Sequence, residues 1–309
     1  MSESLSPAWR AAKDALVDTT GAALLADVNP ANRPETLFHF TDLQGAVSIL
    51  ETRTLWASLA TSLSDQSEVS YGLGRARTLI HRGDVPGEGD FLRNVERFLD
   101  PQNSPPSFRF EWRAFIISFC ARADRALQWL HYGRAGSGIA LAVDCARIRR
   151  TPFDLVEVLY EEARQDLLIR SLFTAASDCL THHLDKVPPD EISRLESVAA
   201  QLTANRIWMV APRLKSNAFT EEREWRLITH DLIGQRVPHD ADVALPMHYR
   251  IVARRIIPYM ELTFDTLPLT ELVLGAGLPM LPEDPGLRIL VENTARGARI
   301  VRSDVPVRE

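Results

Sequence analysis

Ala114-Phe115-Ile116-Ile117-Ser118-Phe119 is a run of five apolar residues around one serine. That is the right length for a strand buried on both faces and too short for a buried helix. We read it as the central strand and place the other elements around it. Toward the N-terminus, residues 37–40 and 55–59 read as short strands. Between them Leu43, Ala46, Val47 and Leu50 follow the i, i+3, i+4, i+7 spacing of a helix face behind a Thr41/Gln44 capping box. Ser6-Pro7 predicts the start of an N-terminal helix whose Trp9, Ala12 and Leu16 share one face before Gly21. Asp65 and Glu68 are spaced as the cap and N3 partner of a further helix with Val69, Leu73, Ala76 and Ile80 on one side. Gly/Pro-rich stretches at 83–90 and 100–107 bracket a short surface helix carrying Phe91, Val95 and Phe98.

Toward the C-terminus, residues 124–131 predict a short helix, 138–144 a buried strand ending in an acid, and 155–160 a further strand. From 161 to about 209 the pattern is helical and is divided by Val187-Pro188-Pro189-Asp190, as in an inserted helical hairpin. Strand character returns at 223–229, 249–254, 256–264, 271–274 and near 298–303, with a Pro285-started helix before the last. Strands this far apart, separated by helices of unequal length, point to an α+β fold with a central mixed or split sheet of about seven to nine strands and flanking helices. Residues 1–36 then form a helical extension, and 37–309 a single domain with its insertion at about 161–209.

The 309 residues are 45% hydrophobic and 25% charged, enough to bury a core and inconsistent with a mainly disordered chain. With 35 Lys+Arg against 41 Asp+Glu the net charge is −6, which argues against constitutive nucleic-acid binding and against a basic membrane-surface patch. Residues 1–12 lack the apolar stretch of a secretory signal, and the longest apolar run, 115–121, falls far short of the roughly 20 residues of a membrane span. Cys120, Cys145 and Cys179 are odd in number, widely spaced and set in apolar sequence, as expected of free thiols in a reducing cytoplasm. A cytoplasmic protein with no membrane association is the expectation.

Phosphate-loop and dinucleotide fingerprints are missing. Gly72-Leu73-Gly74 lacks a third glycine, and Gly275-Ala276-Gly277 is followed by Pro279 and Met280 where the fingerprint requires a helix and a glycine. His182 and His183 are adjacent and point to different sides of a helix, so no metal site is predicted from them.

Three segments carry more polar, aromatic and acidic residues than a core requires. In Phe38-His39-Phe40-Thr41, strand alternation turns His39 away from both phenylalanines; Leu55-Trp56-Ala57-Ser58 and Asp65-Gln66-Ser67-Glu68 continue this segment. In Gln128-Trp129-Leu130-His131-Tyr132-Gly133, two aromatics and an imidazole precede Gly136-Ser137-Gly138, either as a wall for stacking a ligand or as anchors of a turn. In Glu221-Glu222-Arg223-Glu224-Trp225-Arg226-Leu227, preceded by Lys215, an extended backbone puts Glu222, Glu224 and Arg226 on one face. That face is either solvated or presents a carboxylate held ionised by an arginine. Lys215, Arg223 and Arg226 would also make an anionic ligand admissible.

The order of these motifs, from His39-Phe40-Thr41 through Leu55-Trp56-Ala57-Ser58, Ser64-Asp65-Gln66-Ser67-Glu68, Phe119-Cys120 and Trp129-Leu130-His131-Tyr132-Gly133 to Glu222-Arg223-Glu224-Trp225-Arg226-Leu227, resembles the bacterial family known as domain of unknown function 2971, over roughly residues 37–277. The family more often has Asn-Asp-Pro where this chain has Ser64-Asp65-Gln66. The layout is also similar to that of ADP-ribosyltransferases. This second resemblance implies NAD as co-substrate, His39 as the clamp on the adenosine ribose and Glu224 as the catalytic carboxylate. Tyr71, Trp129 and Tyr132 are the candidates for stacking on nicotinamide, and Thr41, Ser58, Asp65, Glu68, His131, Lys215 and Arg226 complete the expected ligand-binding set. The expectation is therefore an NAD-consuming transferase or hydrolase with a nucleotide ligand and an unidentified acceptor. Two other readings stand beside it: a non-catalytic nucleotide- or peptide-binding module, and a metal-assisted hydrolase using Asp65, Glu68, His131 and Glu224.

Overall fold

The computed structural model describes residues 5–26, 33–62, 67–100, 113–123, 125–149, 151, 153–231, 246–252 and 254–305. The central strand is β3 (Arg113–Cys120). Its alternation sends Phe115, Ile117 and Phe119 to one core and Ile116 to another. Along one edge β3 pairs antiparallel with the whole of β6 (Glu224–Asp231), and β6 pairs in turn with β5 (Asp154–Glu157).

The opposite edge of β3 is shared by two strands. β1 (Thr36–Thr41) meets it only at Phe38 opposite Cys120. β2 (Thr54–Leu59) meets it only at Ser58 opposite Ile116 and Leu59 opposite Phe115. Both then diverge, leaving the backbone around Ser118 facing a wedge between them. The sheet is thus split. One leaf continues from β1 through β4 (Ile139–Asp144) and β9 (Leu269–Leu274) to β10 (Arg299–Arg302). The other continues from β2 through β8 (Arg255–Thr263) to β7 (Met247–Val252). Among the described residues all ladders are antiparallel except β9 with β10, which makes the sheet mixed, and ten strands join it, more than the seven to nine expected.

Helices cover both leaves. α1 (Pro7–Leu25) starts where Ser6 Oγ accepts the Trp9 N–H and runs through Gly21 without a break. α2 (Leu43–Thr52) is capped by Asp42, whose carboxylate accepts the Gly45 N–H at 2.7 Å, so Asp42 takes the role expected of Thr41. α3 (Ser67–His81) buries Val69, Leu73 and Ala76 as its spacing requires. The Asp65 cap expected for α3 lies outside the described residues. α4 (Gly89–Leu99) buries Phe91, Val95 and Leu99. Two short helices, α5 (Ala126–His131) and α6 (Cys145–Ile148), flank β4.

The long pair α7 (Glu162–Leu184) and α8 (Pro189–Val210) is divided at the expected Pro188-Pro189. Its inner faces join α1, α3 and α4 and the Ile116, Val156 and Ile228 face of the sheet in the largest core. Trp9 and Leu16 are buried there, each contributing about 1.5 to 3 kcal/mol of apolar burial. α9 (Pro285–Thr294) packs with α2 over β4 and β9. Among the described residues no helix is long and apolar enough to cross a membrane, and Cys120, Cys145 and Cys179 are buried free thiols.

Candidate functional site

The wedge where the sheet splits holds a cavity of about 1050 Å³. His39 enters it from β1. Its Nδ1–H donates to the carbonyl of Ser118 at 3.0 Å, so a side chain occupies the position on β3 that a neighbouring strand would otherwise fill. This bond fixes the neutral tautomer and leaves Nε2 as the acceptor. Burial lowers the pKa of His39, the Ser118 carbonyl opposes that shift, and Arg250 adds to it.

Across the wedge lies a buried cluster of four charges. Lys215 is 4% exposed, Glu222 6%, Glu224 5% and Arg226 1%. Glu224 and Arg226 point to the same face because they are two apart on β6, and the guanidinium grips the carboxylate with Nε to Oε1 at 2.8 Å and NH2 to Oε2 at 2.7 Å. Lys215 Nζ donates to Glu222 Oε2 at 2.6 Å and to Glu224 Oε2 at 3.4 Å. Tyr132 donates its hydroxyl to the other oxygen of Glu222 at 3.1 Å. Burial opposes ionisation of Glu224, but Arg226, Lys215 and the Ser118 hydroxyl outweigh it and hold the carboxyl below its ordinary value. Burial, with the carboxylates of Glu222 and Glu224 close by, pushes the Cys120 thiol and the Tyr132 phenol upward.

The backbone explains how Glu222 joins this cluster. Expected on an extended backbone with Glu224 and Arg226, it instead ends a 3-10 turn (Asn217–Glu222), and Arg223 adopts a left-handed conformation at φ 45° before β6 begins. Gln128 holds this corner by donating to the carbonyls of Glu221 and Glu222. Lys215 is set by a short backbone bridge to Leu159, and Gln165 of α7 donates to the carbonyls of both. The Glu224 N–H donates to Tyr160 Oη.

His39, Thr41 and Ser58 line the cavity from β1 and β2. His131 and Tyr132 line it from the end of α5, and Lys215, Glu224 and Arg226 form the far wall. Tyr71 and Trp129 do not line it. Trp129 is fully buried edge-on against Phe40 at 5.0 Å, and Tyr71 stands behind the site with its hydroxyl on Gln165. Tyr132 is therefore the cavity-lining member of the three candidate stacking aromatics. Asp65 and the side chain of Glu68 lie outside the described residues. Among the described residues no group of three or more His, Cys, Asp or Glu side chains is arranged to hold a metal. Glu224, named for the metal-assisted reading, is held by a lysine and an arginine.

Sequence reading missed Glu222, Trp56 and Arg250 as cavity residues. For Glu222 the signal was present in its two-residue spacing from Glu224. For Arg250 there was none, since β7 comes beside β2 only through β8. Nor do Lys215 and Arg226 stand ready for an anion, because both face carboxylates of their own cluster. Gly275 and Gly138 serve close packing: a Cβ on Gly275 would sit 2.1 Å from the Gly136 carbonyl oxygen, and one on Gly138 2.5 Å from the Thr41 carbonyl oxygen. Arg134 and Ala135 are both left-handed, a strain of about 1 to 2 kcal/mol each, in the turn that joins the cavity mouth through Arg134 and Asp42 at 3.0 Å.

Fold and site define a split-sheet α+β protein whose crevice places an imidazole opposite a pair of buried carboxylates. Residues 128–227 match the family model described as Protein of unknown function (DUF2971), so the resemblance read from the motifs holds over that segment, which contains the Trp129 and Glu224 motifs and excludes His39. No curated protein matches the chain, and no solved structure does.

Proposed function

We propose that the cavity binds NAD and breaks the bond between nicotinamide and ribose, passing ADP-ribose to water or to another acceptor. The observation that carries this reading is that His39, Tyr132, Glu222 and Glu224, from three separate parts of the chain, line one cavity at the split of the sheet. As the C–N bond breaks, nicotinamide leaves with the electron pair and the ribose acquires oxocarbenium character. A fixed anion beside the ring favours that state over the uncharged sugar. Glu224 is fixed by Arg226, but most of its lone-pair positions are already taken by Arg226 and Lys215. Glu222 has more accepting capacity left and faces the half-open wall at Tyr132. In this reading Glu224 maintains the field and Glu222 accepts from the ribose hydroxyl, an interaction that strengthens as charge develops. His39 Nε2 is the acceptor for a second sugar hydroxyl on the opposite wall.

The test is nicotinamide release from NAD by the full chain. Glu222→Gln is expected to lower kcat on the order of 100-fold. Because buried Lys215 loses its nearer carboxylate, the thermal transition falls as well, so turnover is compared at a temperature where circular dichroism shows both proteins folded. Equal turnover by Glu222→Gln and wild type would sink the assignment. The extensive pairing of Glu224 favours one second reading, a nucleotide-binding module without turnover. It predicts saturable NAD binding with no nicotinamide released by wild type.

A further inference from the structure

Among the described residues the charges lining the cavity are paired with one exception. Arg134 faces Asp42, and Lys215 and Arg226 face Glu222 and Glu224. Arg250, on β7, has no carboxylate partner among the described residues. Its guanidinium lies 5.4 Å from the ring centroid of Trp56 and 5.9 Å from that of Tyr259. One terminal nitrogen donates to Ser58 Oγ at 2.8 Å. Its Nε, shut off from solvent, has no hydrogen-bond partner. Ser58 is itself buried, and Trp56, 39% exposed, lines the cavity beside it. A half-buried guanidinium in contact with two aromatic faces has lost water without gaining an anion, and its remaining donors suit the geometry of a phosphate. The enclosed Nε leaves the terminal nitrogens as the donors that a ligand in the cavity can reach.

We infer that Arg250, with Ser58 and Trp56, forms a subsite for the diphosphate of a nucleotide at the β2–β7 wall of the cavity, across from the carboxylates. The subsite deepens the NAD reading, on which its place in a reaction rests, by separating two jobs. The anionic part of the ligand is held at Arg250, and the sugar that becomes cationic is held at Glu222 and Glu224. Opposite charges on opposite walls also fix which way round a dinucleotide lies.

The experiment is calorimetric titration of the full chain with ADP, which carries the diphosphate and lacks nicotinamide, and with inorganic pyrophosphate. ADP is expected to bind wild type and to bind Arg250→Gln more weakly, on the order of 10- to 100-fold, with Arg250→Lys in between. Pyrophosphate bound with the same dependence on Arg250 identifies the diphosphate as the recognised group. The inference is overturned if ADP binds Arg250→Gln as tightly as wild type, or if wild type binds neither probe at millimolar concentration. Arg250→Lys keeps the charge and guards against a folding defect in the glutamine variant. ADP binding that depends on Arg250, with no nicotinamide released from NAD, removes the catalytic reading and keeps the subsite. Nicotinamide release with a KM indifferent to Arg250→Gln removes the subsite and keeps the catalytic reading.

Discussion

At the scale of single residues, the site depends on Glu224, a carboxylate held below its ordinary pKa inside the protein. Removing one partner of a buried pair typically costs about 3 to 5 kcal/mol because the other charge is left without solvent or counter-charge. Glu224→Gln leaves Arg226 in that position, since the Arg226–Glu224 contact is almost wholly enclosed. The variant is therefore expected to be less stable at neutral pH, whatever it does to activity. The difference also has a pH signature. The folded pKa of Glu224 lies below its ordinary 4.5. Its contribution is thus complete above pH 4.5 and is lost as pH falls through the folded value. Urea denaturation of wild type and Glu224→Gln should show a stability gap that is constant near neutrality and narrows below pH 4.5. A gap unchanged down to pH 3 contradicts the pairing. His39 and His230 also bind protons less readily in the folded state, His230 with a pKa lowered to about 4 by burial, so both weaken the fold below pH 6.5. They do so in both proteins, and the difference isolates Glu224.

At the scale of elements, caps and corners aim the site. Asp42 terminates β1 and starts α2, and its second oxygen takes Arg134 at the cavity mouth. Asp42→Ala should lower stability by about 1 kcal/mol through loss of the cap. An unchanged urea midpoint would show that α2 is held by its packing alone. Much of this level was legible in the sequence. The Pro188-Pro189 break, the alternation around His39 and the shared face of Glu224 and Arg226 all follow from residue spacing. The cap was placed one residue early because Thr41 and Asp42 both suit the position, and only the strand's end decides between them. Spacing places Glu222 on the extended face of Glu224 and Arg226, because pattern gives no sign of the left-handed Arg223 that separates its turn from β6.

For the whole molecule, α1 and the α7–α8 pair share one core with the sheet. Leu16 is fully buried in it. Leu16→Ala should cost about 2 to 5 kcal/mol, and unfolding should remain one transition by circular dichroism and tryptophan fluorescence alike. Two separated transitions would mean that the helical layer folds independently of the sheet. Residue order and hydrophobic period by themselves determined the element types, the central position of residues 114–119, the helical hairpin and the segments rich in chemistry, because these depend on local spacing and composition. The split of the sheet, the cavity within it and the pairing of Lys215 with Glu222 were decided only in three dimensions. So was the position of Arg250, which reaches Ser58 across 192 residues of sequence. Each depends on which strands become neighbours, and that is settled by the joint packing of both faces of β3, which no window of sequence contains.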